Sequence, residues 1–213
     1  MARPVGKSWS TDLTWSNLDD QARTGLIDQI SPVDGKYQLE SSTSISATNL
    51  SFYPTQVRLL RLCDSSWSES LTLYYLENQG NLFRLNGTSP PIHEVNAKAP
   101  IKLSEENVLA YLRFFCFFVR GDKGPFYIFE SLEAPDIPEV SDKNELLKLE
   151  KHVYPSKFNG SDEKGNLYAT SMFWYGNTIY AAKFKVRATG MIDMEADEEV
   201  LSNLTVRINA RIS

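Results

Sequence analysis

Imidazole titrates closest to neutral pH, so a chain with only two histidines, His93 and His152, confines acid/base chemistry to two places. His93 is followed by Glu94 just after Pro90-Pro91. That pair supplies the parts of a general acid and base, and a hydrolase or nuclease using His93 and Glu94 is the enzymatic reading of the sequence. Such catalysis needs a histidine oriented by a partner, and no partner is placed by the sequence. The commoner role of a lone histidine, on the surface or in a structural hydrogen bond, carries more weight. His152 falls at the end of an expected helix, where an imidazole serves the terminal carbonyls.

Metal and cofactor chemistry have fewer footholds. Zinc needs about four ligands at short recognisable spacings, and Cys-x-x-Cys, His-x-His and His-Glu-x-x-His are all missing. Asp193, Glu195, Asp197, Glu198 and Glu199 form an acidic run that resembles an oxygen-ligand magnesium site, but the simpler role for its first acids is to neutralise Lys183 and Lys185 across a hairpin. No metal site is expected. The glycine patterns that cradle phosphates and the nucleophile elbow are likewise missing, and no cofactor is expected. Cys63 and Cys116 lie in apolar runs, as buried thiols of a reducing compartment do, and burial should make Cys116 inert. No stretch reads as a signal peptide or reaches the ~18 uncharged apolar residues of a membrane span, so a cytoplasmic protein without membrane contact is expected.

Two surfaces remain as binding candidates. Lys183, Lys185 and Arg187 form a basic row at every second position, with Tyr168 and Trp174 on the same side as stacking platforms, which is the nucleic-acid reading. The acids of the next strand cancel that row, and 22 basic against 27 acidic residues leave a net charge of −5, so binding by counterion release is disfavoured. The second surface is apolar. Met172, Trp174 and Ile179 share a sheet face with Tyr168. Covered by the 143–152 helix or by the N-terminal segment, this face is a second core; left open, it is a protein-binding patch with a charged rim.

The elements that hold these residues follow from pattern. Residues 1–55 read as a polar arm with one short helix, in which Ser16 caps and Leu18, Ala22, Leu26, Ile27 and Ile30 share a face. The serine/threonine cluster at 40–49 is a linker or an edge strand. Short β-rich runs follow at 57–62, 71–77 and 82–86, with Asn78-Gln79-Gly80 as a three-residue hairpin loop pairing Leu76 with Leu82 and Tyr75 with Phe83. The prolines at 90, 91 and 100 confine 92–99 to an edge strand or irregular segment.

Residues 104–121 are apolar on nearly every side between Ser104 and Gly121. This predicts a helix buried between layers, with Leu112, Phe115 and Cys116 enclosed; the competing reading turns 114–119 into a strand paired with 126–130. Asp142 and Glu145 form a capping box for an amphipathic helix over 143–152, and 159–165 is a loop.

The C-terminal part carries the clearest strand signal. Gly176-Asn177 as a two-residue loop pairs Trp174 with Ile179, Phe173 with Tyr180 and Met172 with Ala181. Ala188-Thr189-Gly190 then sets Val186 against Ile192, Lys185 against Asp193, Phe184 against Met194 and Lys183 against Glu195. A last strand over 204–212 completes a four-strand meander.

Together these predict an α+β fold: a C-terminal four-strand meander and an N-terminal three-strand group packed around one buried aromatic helix. The arm at 1–55 precedes a single domain at 56–213. The function expected from it is that of a non-enzymatic interaction protein or accessory subunit, binding a protein partner or a second copy of itself through Tyr168, Met172, Trp174 and Ile179, with Lys183, Lys185 and Arg187 beside them.

Overall fold

The computed structural model describes residues 8–30, 39–54, 57–67, 71–133 and 137–207. It is an α+β fold of antiparallel sheets with a buried aromatic cluster, and no described helix is long and apolar enough to cross a membrane.

The first sheet has five strands in chain order: β1 (Ser16–Asn17), β2 (Ser44–Asn49), β3 (Arg58–Cys63), β4 (Leu73–Asn78) and β5 (Asn81–Arg84). Between β1 and β2 the chain forms helix α1 (Asp20–Ile30). The helix is capped by Asp19, which accepts the Ala22 N–H at 2.8 Å, and not by Ser16, which pairs with Ala47 in the sheet. Leu60, Leu62, Leu73 and Tyr75 cluster with Leu26 and Ile30 of α1, while the alternating Leu59, Tyr74 and Leu76 turn to the main core. A sheet covered on both faces explains why these strands read as continuous apolar runs.

The 40–49 cluster is therefore neither linker nor edge, because β2 lies between β1 and β3 and pairs with β3 over six residues. Several of its hydroxyls are bonded within or beside the sheet. Ser46 Oγ accepts two N–H groups from Arg61, and Thr43 donates to Asp64 at 2.7 Å. The division at residues 55 and 56 falls outside the described residues, and the segment read as an arm contributes two strands and a helix to the same body.

The β4–β5 loop is shorter than expected. Gln79 (φ 51°) and Gly80 (φ 80°) form a two-residue turn with both residues left-handed, so Leu76 faces Phe83 and Tyr75 faces Arg84. That turn twists in the same sense as the strands.

Helix α2 (Pro90–Lys98) occupies the stretch expected to be an edge strand. Pro90 and Pro91 begin the helix, where an N–H has no intrahelical acceptor to lose, so the pair starts this helix instead of breaking it.

Helix α3 (Val108–Phe118) is the buried aromatic helix, with eight of its eleven residues buried. Asn107 precedes it and accepts the Ser104 N–H at 2.9 Å, so Ser104 opens a turn and does not cap the helix. Val119 is extended, and the helix stops short of Gly121 because β6 (Arg120–Gly121) pairs with β7 (Gly124–Pro125). Leu112 and Cys116 are enclosed as expected. Phe115 is only half-buried, with its ring against His93 and Tyr111 at centroid distances of 5.6 and 6.0 Å. Phe115→Ala should accordingly cost about 1–2 kcal/mol in urea unfolding, below the roughly 3–5 kcal/mol of a fully enclosed aromatic ring. A loss in the upper range would mean that α2 closes over this ring in solution.

The remaining elements are β8 (Tyr127–Phe129), β9 (Glu139–Val140), α4 (Lys143–Leu149), β10 (Lys157–Ser161), β11 (Leu167–Tyr175), β12 (Thr178–Val186), β13 (Ile192–Leu201) and β14 (Val206–Arg207). The second sheet runs β10-β11-β12-β13, with β8 also paired to β11. Residues 114–118 are helical and β8 pairs with β11, so the competing strand pairing of 114–119 with 126–130 does not form; the segment meets α3 instead through the Phe126 N–H, which donates to the Cys116 carbonyl at 3.0 Å. The β11–β12 register matches the expected one throughout, turning at Gly176 (φ 62°). Along β12–β13, Val186, Lys185 and Phe184 face Ile192, Asp193 and Met194 as expected, but a bulge then sets Lys183 against Ala196 and displaces Glu195.

The tip of that hairpin is clamped to the helices. Tyr111 donates to the Gly190 carbonyl at 2.6 Å, Asn96 donates to the Thr189 carbonyl at 3.2 Å, and Tyr53 donates to Asn96 at 2.6 Å. Gly190 (φ 82°) is required there, since a Cβ would collide with the Asn96 amide and lie 2.6 Å from the Tyr111 hydroxyl oxygen.

The fourth meander strand is β10; β14 pairs instead with β9, and residues 208–213 lie outside the described part. Asp142 caps α4 by accepting from the Asn144 and Glu145 N–H groups. Glu145 does not close the box; it accepts the Thr205 N–H at 2.9 Å and ties α4 to the segment after β13.

Candidate functional site

Side chains alternate across a strand, so Tyr168, Thr170, Met172 and Trp174 of β11 share a face with Ile179, Ala181, Lys183 and Lys185 of β12. The structure divides that face in two. At the hairpin end Met172, Trp174 and Ile179 are fully buried, in a cluster that also contains Phe129, Val140, Leu149 and Leu204. Leu204 reaches it because its N–H bonds to the Asn177 carbonyl at 3.0 Å, and Leu149 arrives on α4. Met172, Trp174 and Ile179 are thus core residues and offer no exposed patch, which corrects the binding role expected of them. The cause is tertiary: α4, β9 and the segment after β13 are knit together over this end of the face.

At the other end, Tyr168, Lys183 and Lys185 remain accessible. Lys185 Nζ lies 6.0 Å from the centre of the Tyr168 ring, whose hydroxyl donates to Asp162 at 3.0 Å. Arg187 bridges to Asp193 at 2.8 Å, taking the acid that stands opposite Lys185. The basic row is broken by that bridge, and Trp174 is buried away from it, so the stacking platform expected beside the row is reduced to Tyr168.

His93 and Glu94 are neighbours on α2, and neighbouring positions on a helix diverge by about 100°. His93 turns to the Phe115 ring, and partial burial lowers its pKa, whereas Glu94 pairs with Lys98 at 2.7 Å. The structure does not bring the two together as an acid/base couple. Burial pushes the Cys116 thiol up to about 12, a value that leaves it protonated at neutral pH. Among the described residues, no group of three or more His, Cys, Asp or Glu side chains is placed to hold a metal ion; the acids of β13 lie along an extended strand and do not converge.

One cleft among the described residues was not anticipated from the sequence. It measures about 640 Å³, within the usual span of ligand sites, and lies between the 8–13 turn, the 49–53 turn and α3. From α3 it takes Glu106 before the helix and then Leu109, Ala110, Arg113 and Phe114, a stripe at helical spacing on the helix that reads as apolar all round. Arg113 sits in this wall with its side chain 6% exposed, held by Glu130 at 2.8 Å, with the negative charge of Asp12 nearby. Burial pulls its pKa down, and the two carboxylates oppose that shift. The sequence did carry a signal for Arg113: it is the single charge within the apolar 107–119 run. A charge in such a run must find a buried partner or a polar cleft.

The edge of the second sheet is the other uncommitted feature. Among the described residues β13 pairs only with β12, and residues 194–199 are exposed at six successive positions, so both faces of the strand stand in solvent there. Four of those six are Glu195, Asp197, Glu198 and Glu199. Comparison with protein-family models, with curated proteins and with solved structures finds no match to this chain.

Proposed function

We propose that the chain is a non-enzymatic, cytosolic accessory protein that binds a protein partner by strand addition along β13. The observation that carries this reading is the ten-residue edge strand with its outer side unpaired among the described residues and its central six positions exposed. A sheet edge presents a row of main-chain donors and acceptors, and natural proteins blunt such edges or use them to receive an extended segment. The acids of β13 select the partner: a segment rich in lysine or arginine gains charge pairing on both faces as its backbone pairs along the edge. The role expected of the sheet face passes in this way to the edge of the same sheet.

The test is a synthetic peptide alternating lysine with valine or threonine, titrated calorimetrically. Reversing Asp197 and Glu198, which project to opposite faces, to lysine should weaken binding about tenfold or more. A copy of the peptide N-methylated at alternate residues on its pairing side should lose most of its affinity, because it lacks the required donors. Equal binding by the methylated copy, or by the charge-reversed protein, would reject strand addition.

A further inference from the structure

We propose that Asn86 is a modification site at which the folded chain promotes hydrolysis of its own side-chain amide, through a cyclic imide, to aspartate and isoaspartate. Asn86 is exposed and is followed by Gly87, in the link between β5 and α2. Its side-chain oxygen accepts two donors from one residue, the Thr88 N–H at 3.1 Å and the Thr88 hydroxyl at 2.7 Å. A backbone N–H can only donate, so the atom it meets is the carbonyl oxygen of the carboxamide. The two donors draw electrons from Cγ and stand where negative charge develops on Oδ1 when a nucleophile adds. That nucleophile is the next backbone nitrogen. The Gly87 N–H makes no hydrogen bond among the described residues, and Gly87 (φ 91°) carries no side chain to cover it. As this nitrogen gives its proton to water and bonds to Cγ, the carbonyl electron pair moves onto Oδ1. The pair then returns, the Cγ–Nδ2 bond breaks, and Nδ2 leaves as ammonia with a proton from water. Water opens the imide at either carbonyl, and the nitrogen regains its proton. Breaking the bond to Cγ gives aspartate, breaking the bond to the main-chain carbonyl gives isoaspartate, and nothing is oxidised or reduced. Isoaspartate adds one carbon to the main chain just before Gly87, whose carbonyl accepts the Arg120 N–H at 2.9 Å. The second Asn-Gly pair, Asn159-Gly160, is arranged the other way. There Nδ2 donates to the Thr170 hydroxyl at 3.2 Å, and the side-chain oxygen meets no donor among the described residues. The leaving nitrogen is held and the developing charge has no support.

The whole chain is held at mildly alkaline pH and sampled over weeks, and the peptides carrying the two Asn-Gly pairs are followed by mass spectrometry, with isoaspartate separated by chromatography. A parallel sample in guanidinium chloride gives the rate of each pair without the fold. In the folded chain Asn86 should convert about tenfold faster than Asn159, and at least as fast as it does in denaturant. Thr88→Val removes the hydroxyl and keeps the N–H. It should slow Asn86 about tenfold, short of the roughly hundredfold or more lost with one donor of an enclosed oxyanion hole, because this site is open to water. Thr88→Ser should restore the rate. Thr88 is exposed, so both variants should keep the thermal midpoint of the natural chain. An Asn86 that converts more slowly folded than denatured, no faster than Asn159, or at an unchanged rate in Thr88→Val overturns the proposal.

Discussion

Trp174→Ala is expected to remove about 3–5 kcal/mol of folding stability, the range for truncating a large aromatic side chain in a core. Trp174 is fully buried, its indole N–H donates to the Gly176 carbonyl at 3.0 Å, and its ring lies 6.1 Å from that of Phe129. Truncation would leave a void beneath the segment that carries Leu204 and would also free the Gly176 carbonyl at the hairpin turn. Urea unfolding checks this directly. A loss below about 1 kcal/mol, accompanied by weaker self-association or partner binding, would return Trp174 to the surface role that its sequence pattern suggested. Trp174→Phe keeps most of the volume but loses the hydrogen bond, and should fall in between, at about 1–2 kcal/mol.

The same residue marks the boundary of what could be read from sequence. The pairing of Trp174 with Ile179 was legible because a two-residue Gly-Asn turn sets the register of a whole hairpin, and one slipped residue would have turned every side chain to the wrong face. The α4 start was legible for a similar local reason, an aspartate accepting two backbone N–H groups. Whether the Trp174 face was covered was not legible, since its cover comes from residues on α4, β9 and the segment after β13, fixed by the Leu204, Thr205 and Val206 contacts. Pro90-Pro91 misled for a different reason. Proline ends helices and also begins them, and only the buried Ile92 and Val95 under the first sheet decide between the two. The Arg113 cleft draws on residues from 8 to 156 in the chain, so no local spacing announces it.

Removing Arg113 alone should cost more than removing its whole ion pair. In Arg113→Met the carboxylate of Glu130, 15% exposed, loses the guanidinium that holds it at 2.8 Å. Breaking a buried pair in this way typically costs about 3–5 kcal/mol, because the surviving charge stays desolvated without compensation. In Arg113→Met with Glu130→Leu neither charge remains, the apolar wall of α3 continues through the position, and stability should return to within about 1 kcal/mol of the natural chain. The coupling between the two sites would then be several times larger than that of an exposed pair such as Lys98 with Glu94. Urea unfolding of the two single variants and the double variant closes the cycle. If the two single losses simply add in the double variant, the 2.8 Å contact contributes little, and Arg113 is held by its aliphatic stem packed along α3 and not by its charge. Recovery in the double variant would instead show that the pair adds little to net stability, so that its retention in an otherwise apolar helix needs a reason other than folding.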